Sequence, residues 1–234
     1  MTIETRIAAL PWVEITGELH ERGFAKTPPI LLPEECAELA TLYEDDGRFR
    51  NRIVMERHGF GKGEYKYFAD PLPALVMGLR TALYPQLAVV ANDWAAKLGI
   101  EGFPDEHQPL LDRCHAAGQT KPTPLLLRYE QDGYNCLHQD LYGAIYFPLQ
   151  VAFVLSRKGG DFTGGDFLVT EQRPRAQSRG EAISLDQGEA IIFTTQYRPV
   201  AGTRGTYRVN MRHGVSRLLS GRRLTLGIIF HDAA

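Results

Sequence analysis

Residues 125–140 read LLLRYEQDGYNCLHQD, and residues 213–230 read HGVSRLLSGRRLTLGIIF. Successive side chains of a β-strand point to opposite faces, so His138 and Asp140 in an extended segment would point to one common side. His213, on a later strand, can add a second imidazole to this pair. Two nitrogens and one oxygen on one side of a metal leave coordination positions open, a donor set typical of non-haem Fe(II) sites. The two stretches therefore predict an iron site between β-strands.

A second pattern lies ten residues beyond His213. In Arg223-Leu224-Thr225 the first and third residues should both face the interior of the protein, while Arg222 faces outward. A guanidinium fork can hold a carboxylate through two hydrogen bonds. The stretch DFTGGDFLVTEQ at 161–172 adds a Gly-Gly turn into a strand. In order and spacing, over roughly residues 120–232, these motifs resemble the Fe(II)/2-oxoglutarate-dependent dioxygenase superfamily.

The resemblance implies a fold that is mostly β with N-terminal helices: a double-stranded β-helix core, jelly-roll and cupin-like, packed against α-helices. It implies three Fe(II) ligands, namely His138, Asp140 and His213. It implies three contacts to the co-substrate 2-oxoglutarate, namely Arg223 and Thr225 at its distal carboxylate, and Tyr129. The implied activity is that of an oxidoreductase, a dioxygenase that couples decarboxylation of 2-oxoglutarate to hydroxylation of a substrate C–H bond, with dioxygen as oxidant and ascorbate as a candidate reductant.

Length and patterning indicate one catalytic domain, residues 1–234. The chain is 44% hydrophobic and 10% aromatic, which suffices for one substantial core. Helical spacing of apolar residues predominates in an N-terminal part, 1–120, and short apolar segments between Gly- and Pro-containing turns predominate in the core, 121–232. Eight strands are predicted there, at 123–130, 134–140, 145–156, 165–171, 181–186, 189–195, 205–213 and 223–230.

Other features of the sequence bear on location and partners. No apolar run approaches the 18 residues of a membrane span, so we expect no membrane partner, and no signal peptide is recognisable at the N-terminus. Three cysteines, Cys36, Cys114 and Cys136, are odd in number and form no spacing motif. This usage favours a reducing, cytoplasmic location, which would also keep iron ferrous. The oligomeric state is left open.

The segment 48–68, RFRNRIVMERHGFGKGEYKYF, holds six cations against two anions in a chain of net charge −2. It lies where the alkylated-DNA repair demethylases of the resembling superfamily carry a substrate lid, so the resemblance makes it the candidate substrate lid. Cations that neutralise phosphates beside rings that stack on bases are typical of a nucleic-acid grip. The candidate residues are Arg50, Arg52, Arg57, Phe60, Lys62, Tyr65 and Tyr67. A second basic stretch at 171–179 adds Arg173 and Arg175. The alternative is an exposed hairpin whose charges are only solvated.

The substrate remains divided between classes. The motifs YKYF, LHQDLYG, EQRPR and IIFHDA resemble a bacterial 2OG-Fe(II) oxygenase family suspected of acting on nucleic acids. This resemblance favours hydroxylation or oxidative demethylation of a nucleic-acid base, in DNA or RNA. The spacing of ten residues between His213 and Arg223 resembles prolyl hydroxylases instead, so a peptidyl (prolyl-type) or small-molecule hydroxylase is the alternative. A non-catalytic metal- or RNA-binding barrel is a third reading.

Rival ligands and wall residues are also present in the sequence. His115 and the pair His231-Asp232 lack the spacing of the first site, so we expect them to be surface or packing residues. Cys136 would share a face with His138. Four polar residues could read substrate or be ordinary surface groups, namely Asn135, Arg208, Asn210 and Arg212.

Overall fold

The computed structural model describes residues 1–203 and 205–234. Its helices are α1 (Ile3–Ala8), α2 (Trp12–Arg22), α3 (Pro33–Leu42), α4 (Ala74–Leu98) and α5 (His107–Ala116). Its strands are β1 (Phe24–Lys26), β2 (Phe49–Val54), β3 (Gly61–Lys62), β4 (Glu64–Phe68), β5 (Leu125–Glu130), β6 (Tyr134–His138), β7 (Leu149–Val154), β8 (Phe162–Gly164), β9 (Phe167–Gln172), β10 (Arg179–Ile183), β11 (Ala190–Thr194), β12 (Tyr197–Gly202), β13 (Gly205–Val215) and β14 (Leu218–Ile228).

The strands form two antiparallel sheets. The major sheet runs in the order β1-β11-β7-β14-β5-β4-β2, with β8 attached to β14, and the minor sheet runs β10-β9-β13-β6-β3, with β12 attached to β13. One apolar cluster, with members such as Val154 and Phe193 from the major sheet and Val169 and Met211 from the minor sheet, fills the space between them. The predicted jelly-roll core is therefore confirmed.

The opposite face of the major sheet packs on the helices. All six residues of β7 are buried, because Gln150, Ala152 and Val154 face the minor sheet while Leu149, Val151 and Phe153 face the helices. A strand covered on both faces shows no polar alternation, which is why β7 reads as a continuous apolar run. This layering leaves the inner face of the major sheet available to line a cavity.

Helix α4 is the central helix of that layer. It continues through Pro85 as one helix of 25 residues and ends at Gly99, whose positive φ of 64° suits a glycine. By length and mean hydropathy it could span a membrane, contrary to the sequence expectation, but half of its most apolar stretch is buried inside the protein. It also carries Arg80, 1% exposed and paired with Asp232 at 2.7 Å. Its apolar composition thus fits a helix that packs within a core.

The N-terminal part contributes strands as well as helices. The segment 48–68 contains β2 and β4, which pair with each other, and β4 pairs with β5 of the core. The segment therefore continues the major sheet instead of standing off as an isolated hairpin. Strand β1 likewise pairs with β11. Strands from both sides of the boundary predicted at residue 120 therefore share the same two sheets.

Candidate metal centre

Three side chains predicted as iron ligands meet between the sheets. His138 ends β6 and is the Cα partner of His213 on β13, so the imidazoles lie side by side with ring centroids 4.2 Å apart. Asp140 follows two residues after β6, and its carboxylate oxygens lie 3.5 Å from His138 Nε2 and 3.2 Å from His213 Nε2. One ligand atom of each residue lies within 4.8 Å of the others. This convergence of two nitrogens and one oxygen suits a divalent metal that prefers mixed N/O donors.

The ring orientation of each histidine leaves Nε2 facing Asp140. His138 Nδ1 lies 2.7 Å from the Cys136 carbonyl oxygen, so Nδ1–H donates there and the Nε2 lone pair is available to a metal. His213 is 6% exposed; its ring stacks on Phe167, with centroids 5.9 Å apart, and contacts the tilted ring of Phe193, with centroids 4.5 Å apart. The Cys136 carbonyl thus orients the His138 imidazole, and the two phenylalanine rings hold the His213 imidazole.

Mutual interactions shift the pKa values of the three groups. Burial by itself would raise the pKa of Asp140, but hydrogen bonds from His138 and His213 outweigh it and hold that pKa well below the usual range. Burial lowers the pKa of His213, and the nearby His138 lowers it further. Burial would also lower the pKa of His138, but the hydrogen bond and charge of Asp140 outweigh it and raise that pKa. The carboxylate is therefore ionised at neutral pH, as a metal ligand must be.

A cavity of about 350 Å³ extends from this cluster along the inner face of the major sheet. Arg223 lines it, 2% exposed, with Tyr129 as its Cα partner on β5. Burial lowers the pKa of the Arg223 guanidinium, which pairs with no carboxylate among the described residues, and its Nε has no hydrogen-bond partner there. The buried Tyr129 hydroxyl also has none. A buried cation without a counter-ion is costly, so the cavity suits an anionic ligand at this position.

Two residues in the cavity were missed by the sequence analysis. Tyr142 donates a hydrogen bond to Asp140 Oδ1 at 2.7 Å. Gln150 is 3% exposed, and its Nε2 has no partner among the described residues. Gln150 is the Cα partner of Phe193 and so lies near His213. The only sequence signal for Tyr142 is its position two residues after Asp140, and Gln150 is marked only as the polar residue of an apolar strand.

The structure separates the substrate candidates into two groups. Phe60, Tyr65 and Tyr67 line the cavity. The charged candidates do not line it, namely Arg50, Arg52, Arg57, Lys62, Arg173 and Arg175. Of these, Arg52 is bound by the Glu64 carboxylate and Arg173 by Glu171 at 2.7 Å. Residues 44–68 together hold six cations and five anions, so the predicted basic segment is largely neutralised by the residues just before it.

The rival residues lie elsewhere. His115 pairs with Asp232 at 2.9 Å, and the fully buried His231 accepts a hydrogen bond from the Phe147 amide. Arg222 is exposed and lies 3.4 Å from Glu130, so it faces away from the cavity as expected. Of the open wall residues, Asn135 lines the cavity, Asn210 accepts a hydrogen bond from Gln139, Arg208 stacks on Tyr197, and Arg212 is exposed.

Known proteins resemble this chain in sequence and in fold. Two uncharacterised proteins of Mycobacterium tuberculosis, strains H37Rv and CDC 1551, are each 48% identical to it over 190 residues, 81% of this chain and 79% of theirs. A prolyl-4-hydroxylase of Pseudomonas putida matches 95% of this chain and 100% of its own, with a TM-score of 0.56 at 14% identity. An oxidoreductase of the 2OG-Fe(II) oxygenase family from Burkholderia pseudomallei matches 95% and 93%, with a TM-score of 0.53 at 16% identity.

The two structural likenesses show the fold, and the sequence match shows the family. Residues 63–233, which include the three clustered side chains and Arg223, match a family described as an oxygenase catalysing oxidative methylation of damaged DNA. The chain therefore belongs to this oxygenase family and is an Fe(II)- and 2-oxoglutarate-dependent dioxygenase.

Proposed function

We propose that this dioxygenase oxidises a C–H bond on a base of damaged nucleic acid, with Fe(II) held by His138, Asp140 and His213. The observation that carries the proposal is that a buried, unpaired Arg223 shares one cavity with this three-ligand cluster. Arg223 would hold the distal carboxylate of 2-oxoglutarate, with Thr225 and Tyr129 beside it. When bound, the iron supplies dioxygen activation coupled to decarboxylation of 2-oxoglutarate.

The protein's own residues position the co-substrate and exclude water. The part of β14 that lines the cavity extends from Arg223 to Gly227, a distance of four residues or about 13 Å at the usual rise of a strand. Beside them the cavity wall is largely apolar, formed by Leu127, Ala152 and Ile229 among others. An apolar wall raises the strength of the Arg223–carboxylate interaction because water is kept out.

A flat, uncharged group fits the substrate end of this cavity best. Phe60, Tyr65 and Tyr67 present rings that can stack on a planar base. Apart from Arg223 and the two ligand histidines, no cationic residue of the described chain lines the cavity, so a phosphate would have no counter-ion inside once Arg223 holds 2-oxoglutarate. We propose that the sugar-phosphate backbone stays outside, near the exposed cations Arg57 and Lys62. The family's description supports DNA as the carrier of the base.

The experiment measures succinate formed from 2-oxoglutarate by the full chain with Fe(II), with and without substrate. Single-stranded oligonucleotides with an N-methylated base should raise succinate formation and release formaldehyde. An unmodified oligonucleotide of the same sequence is the control. Stimulation by a proline-containing peptide, with none by methylated oligonucleotides, would establish the prolyl-type hydroxylase instead. Absence of any Fe(II)-dependent succinate would contradict the metal and co-substrate assignments together.

Three further points belong to the same proposal. All three cysteines are free, and Cys36 and Cys114 are buried, which supports a reducing cytoplasmic location. Ascorbate is proposed as the reductant that returns iron to the ferrous state. The whole chain is proposed to act as one catalytic domain, because the segment 48–68 shares a sheet with the core.

A further inference from the structure

The carboxylate of Asp140 lies beyond the end of strand β6, in a connection that has no strand pairing of its own. Its position therefore depends on side-chain contacts. The preceding residue, Gln139, donates from Nε2 to the Met211 carbonyl oxygen at 2.8 Å and so ties the backbone to β13. On the other side, Tyr142 Oη donates to Asp140 Oδ1 at 2.7 Å. Tyr142 is thus the hydroxyl that holds the carboxylate itself.

The hydrogen bonds around Tyr142 have a defined direction. A carboxylate that is ionised can only accept, so the Tyr142 hydroxyl proton points to Asp140. The Tyr142 oxygen then accepts the proton of Tyr67 Oη, 3.0 Å away. Both tyrosines are largely buried, and the three groups form one chain: Tyr67 donates to Tyr142, and Tyr142 donates to Asp140. A donor that is itself an acceptor is polarised, which strengthens its bond to the carboxylate.

Tyr67, the first donor in this series of hydrogen bonds, lies in the candidate substrate lid, residues 48–68. Tyr67 is on β4, and the Arg50 guanidinium stacks over its ring at 4.6 Å from the centroid. Arg50 Nε also donates to the Pro122 carbonyl oxygen at 2.9 Å, which fixes the guanidinium in this place. The rings of Tyr67 and Tyr142 meet edge to face, with centroids 6.1 Å apart. The lid and the metal centre are therefore connected through two hydroxyls.

We infer that Tyr142 is a positioning residue that orients Asp140 for the metal, and that Tyr67 makes this orientation dependent on the lid. The inference rests on the proposed role of Asp140 as a metal ligand. By engaging Oδ1, Tyr142 turns the other oxygen, Oδ2, toward His213 Nε2 at 3.2 Å. Hydrogen-bond partners of this kind set the geometry of a ligating carboxylate and contribute to metal affinity.

The test is a titration of the metal-free full chain with Mn(II) alone, and with Co(II), whose visible absorption reports ligand geometry. Tyr142→Phe keeps the ring and removes the hydroxyl, so Mn(II) affinity should fall by about 10- to 100-fold and the Co(II) spectrum should change. Tyr67→Phe should weaken Mn(II) binding less, because Tyr142 still donates to Asp140. Tyr146→Phe is the matched control: the same substitution in the same connection, where Tyr146 lines a different cavity.

The double variant decides whether the two hydroxyls form one chain. If Tyr67 acts through Tyr142, adding Tyr67→Phe to Tyr142→Phe should cause no further loss of Mn(II) affinity. An equal loss in both backgrounds would overturn the coupling, and unchanged Mn(II) affinity in Tyr142→Phe would overturn the positioning role. Failure of the wild-type chain to bind Mn(II), Co(II) or Fe(II) is a different result, and it would instead contradict the proposed metal ligands.

Discussion

Arg223 Nη1 donates a hydrogen bond to the Thr225 hydroxyl at 2.7 Å, from two positions earlier on the same strand. This contact holds the guanidinium along the inner face of β14 and leaves its remaining donors for a ligand. Arg223 has no carboxylate partner among the described residues, so its guanidinium is already oriented to bind an anionic ligand.

Replacing Arg223 with Lys keeps the charge and removes the bidentate fork. We expect the apparent KM for 2-oxoglutarate to rise about 10- to 100-fold, which corresponds to roughly 1.4–3 kcal/mol. Steady-state succinate formation measures it. Arg222→Lys is the control, since Arg222 is exposed and should leave the KM unchanged. A larger effect at Arg222 than at Arg223 would show that the wrong arginine is assigned.

Replacing His213 with Ala removes one of three proposed ligands. We expect Fe(II)-dependent succinate formation to fall to background, because two remaining donors bind a labile ferrous ion poorly. Near-UV circular dichroism checks that the fold is retained. His115→Ala serves as the control because His115 lies on α5, where it pairs with Asp232 and is 45% exposed. Substantial turnover by the His213 variant would rule out this ligand set.

The exposed cations of the lid should contribute to oligonucleotide binding where they are unpaired. Arg57 and Lys62 form no ion pair among the described residues, whereas Arg48 and Arg52 are bound by Asp45 and Glu64. Changing Arg57 and Lys62 together to Ala should flatten the slope of log affinity against log salt by up to about 1.4–1.8 units, roughly 0.7–0.9 per phosphate contact.

The control for this experiment carries the same change in net charge. Arg48→Ala with Arg52→Ala should alter the slope less, since those cations are already engaged. Filter binding of a single-stranded oligonucleotide over a salt series measures both variants. An unchanged slope in the Arg57 and Lys62 variant would make these charges ordinary solvated groups.

Gln150 should carry a cost to stability. Its buried Nε2 has no partner in the described chain, and an unsatisfied buried amide costs about 1–3 kcal/mol. Gln150→Met, which has a similar length and no amide, should raise the free energy of unfolding of the metal-free protein by roughly 1 kcal/mol. Gln119→Met should do the opposite, because Gln119 makes three hydrogen bonds. Urea denaturation distinguishes the two, and destabilisation by Gln150→Met would mean that its amide is already satisfied.

Two buried histidines outside the metal centre predict a loss of stability in acid. Burial, assisted by the Arg80 charge, lowers the pKa of His107 and of His231 to about 4, from an ordinary value of 6.5. The unfolded chain therefore binds protons that the folded protein does not. The stability contribution is complete above pH 6.5 and declines as pH falls toward 4, by up to on the order of 3 kcal/mol for each histidine.

Urea denaturation at pH 7 and pH 5 measures this dependence. His107→Asn should lose less stability between the two pH values than the wild type, because one of the two groups no longer titrates. Equal losses in both proteins would exclude His107 as a source of the acid sensitivity.

Local periodicity accounts for what the sequence predicted well. The alternation of β14 separates the inward Arg223 from the outward Arg222. Asp140 joins His138 as predicted, but β6 ends at His138, so side-chain contacts and not strand pairing hold the carboxylate in place. The hydrogen bond from Tyr67 to Tyr142 joins residues 75 positions apart in the chain, so no local pattern marks it. The pairing of the lid's charges also depends on a contact that the sequence does not show: Glu64 pairs with both Arg52 and Arg128, and the second pairing depends on the contact between β4 and β5.

The position of β14 has a consequence for how the protein folds. It comes last among the strands in the chain, yet in the major sheet it separates β1-β11-β7 on one side from β5-β4-β2 on the other. During synthesis, β7 and β5 cannot pair with β14, the strand that lies between them, until residues 218–228 have left the ribosome. Until then both central edges remain open to pairing with other chains. Completion of the sheet is therefore a late, long-range event, and it joins the two halves in the same step that brings Arg223 to the cavity.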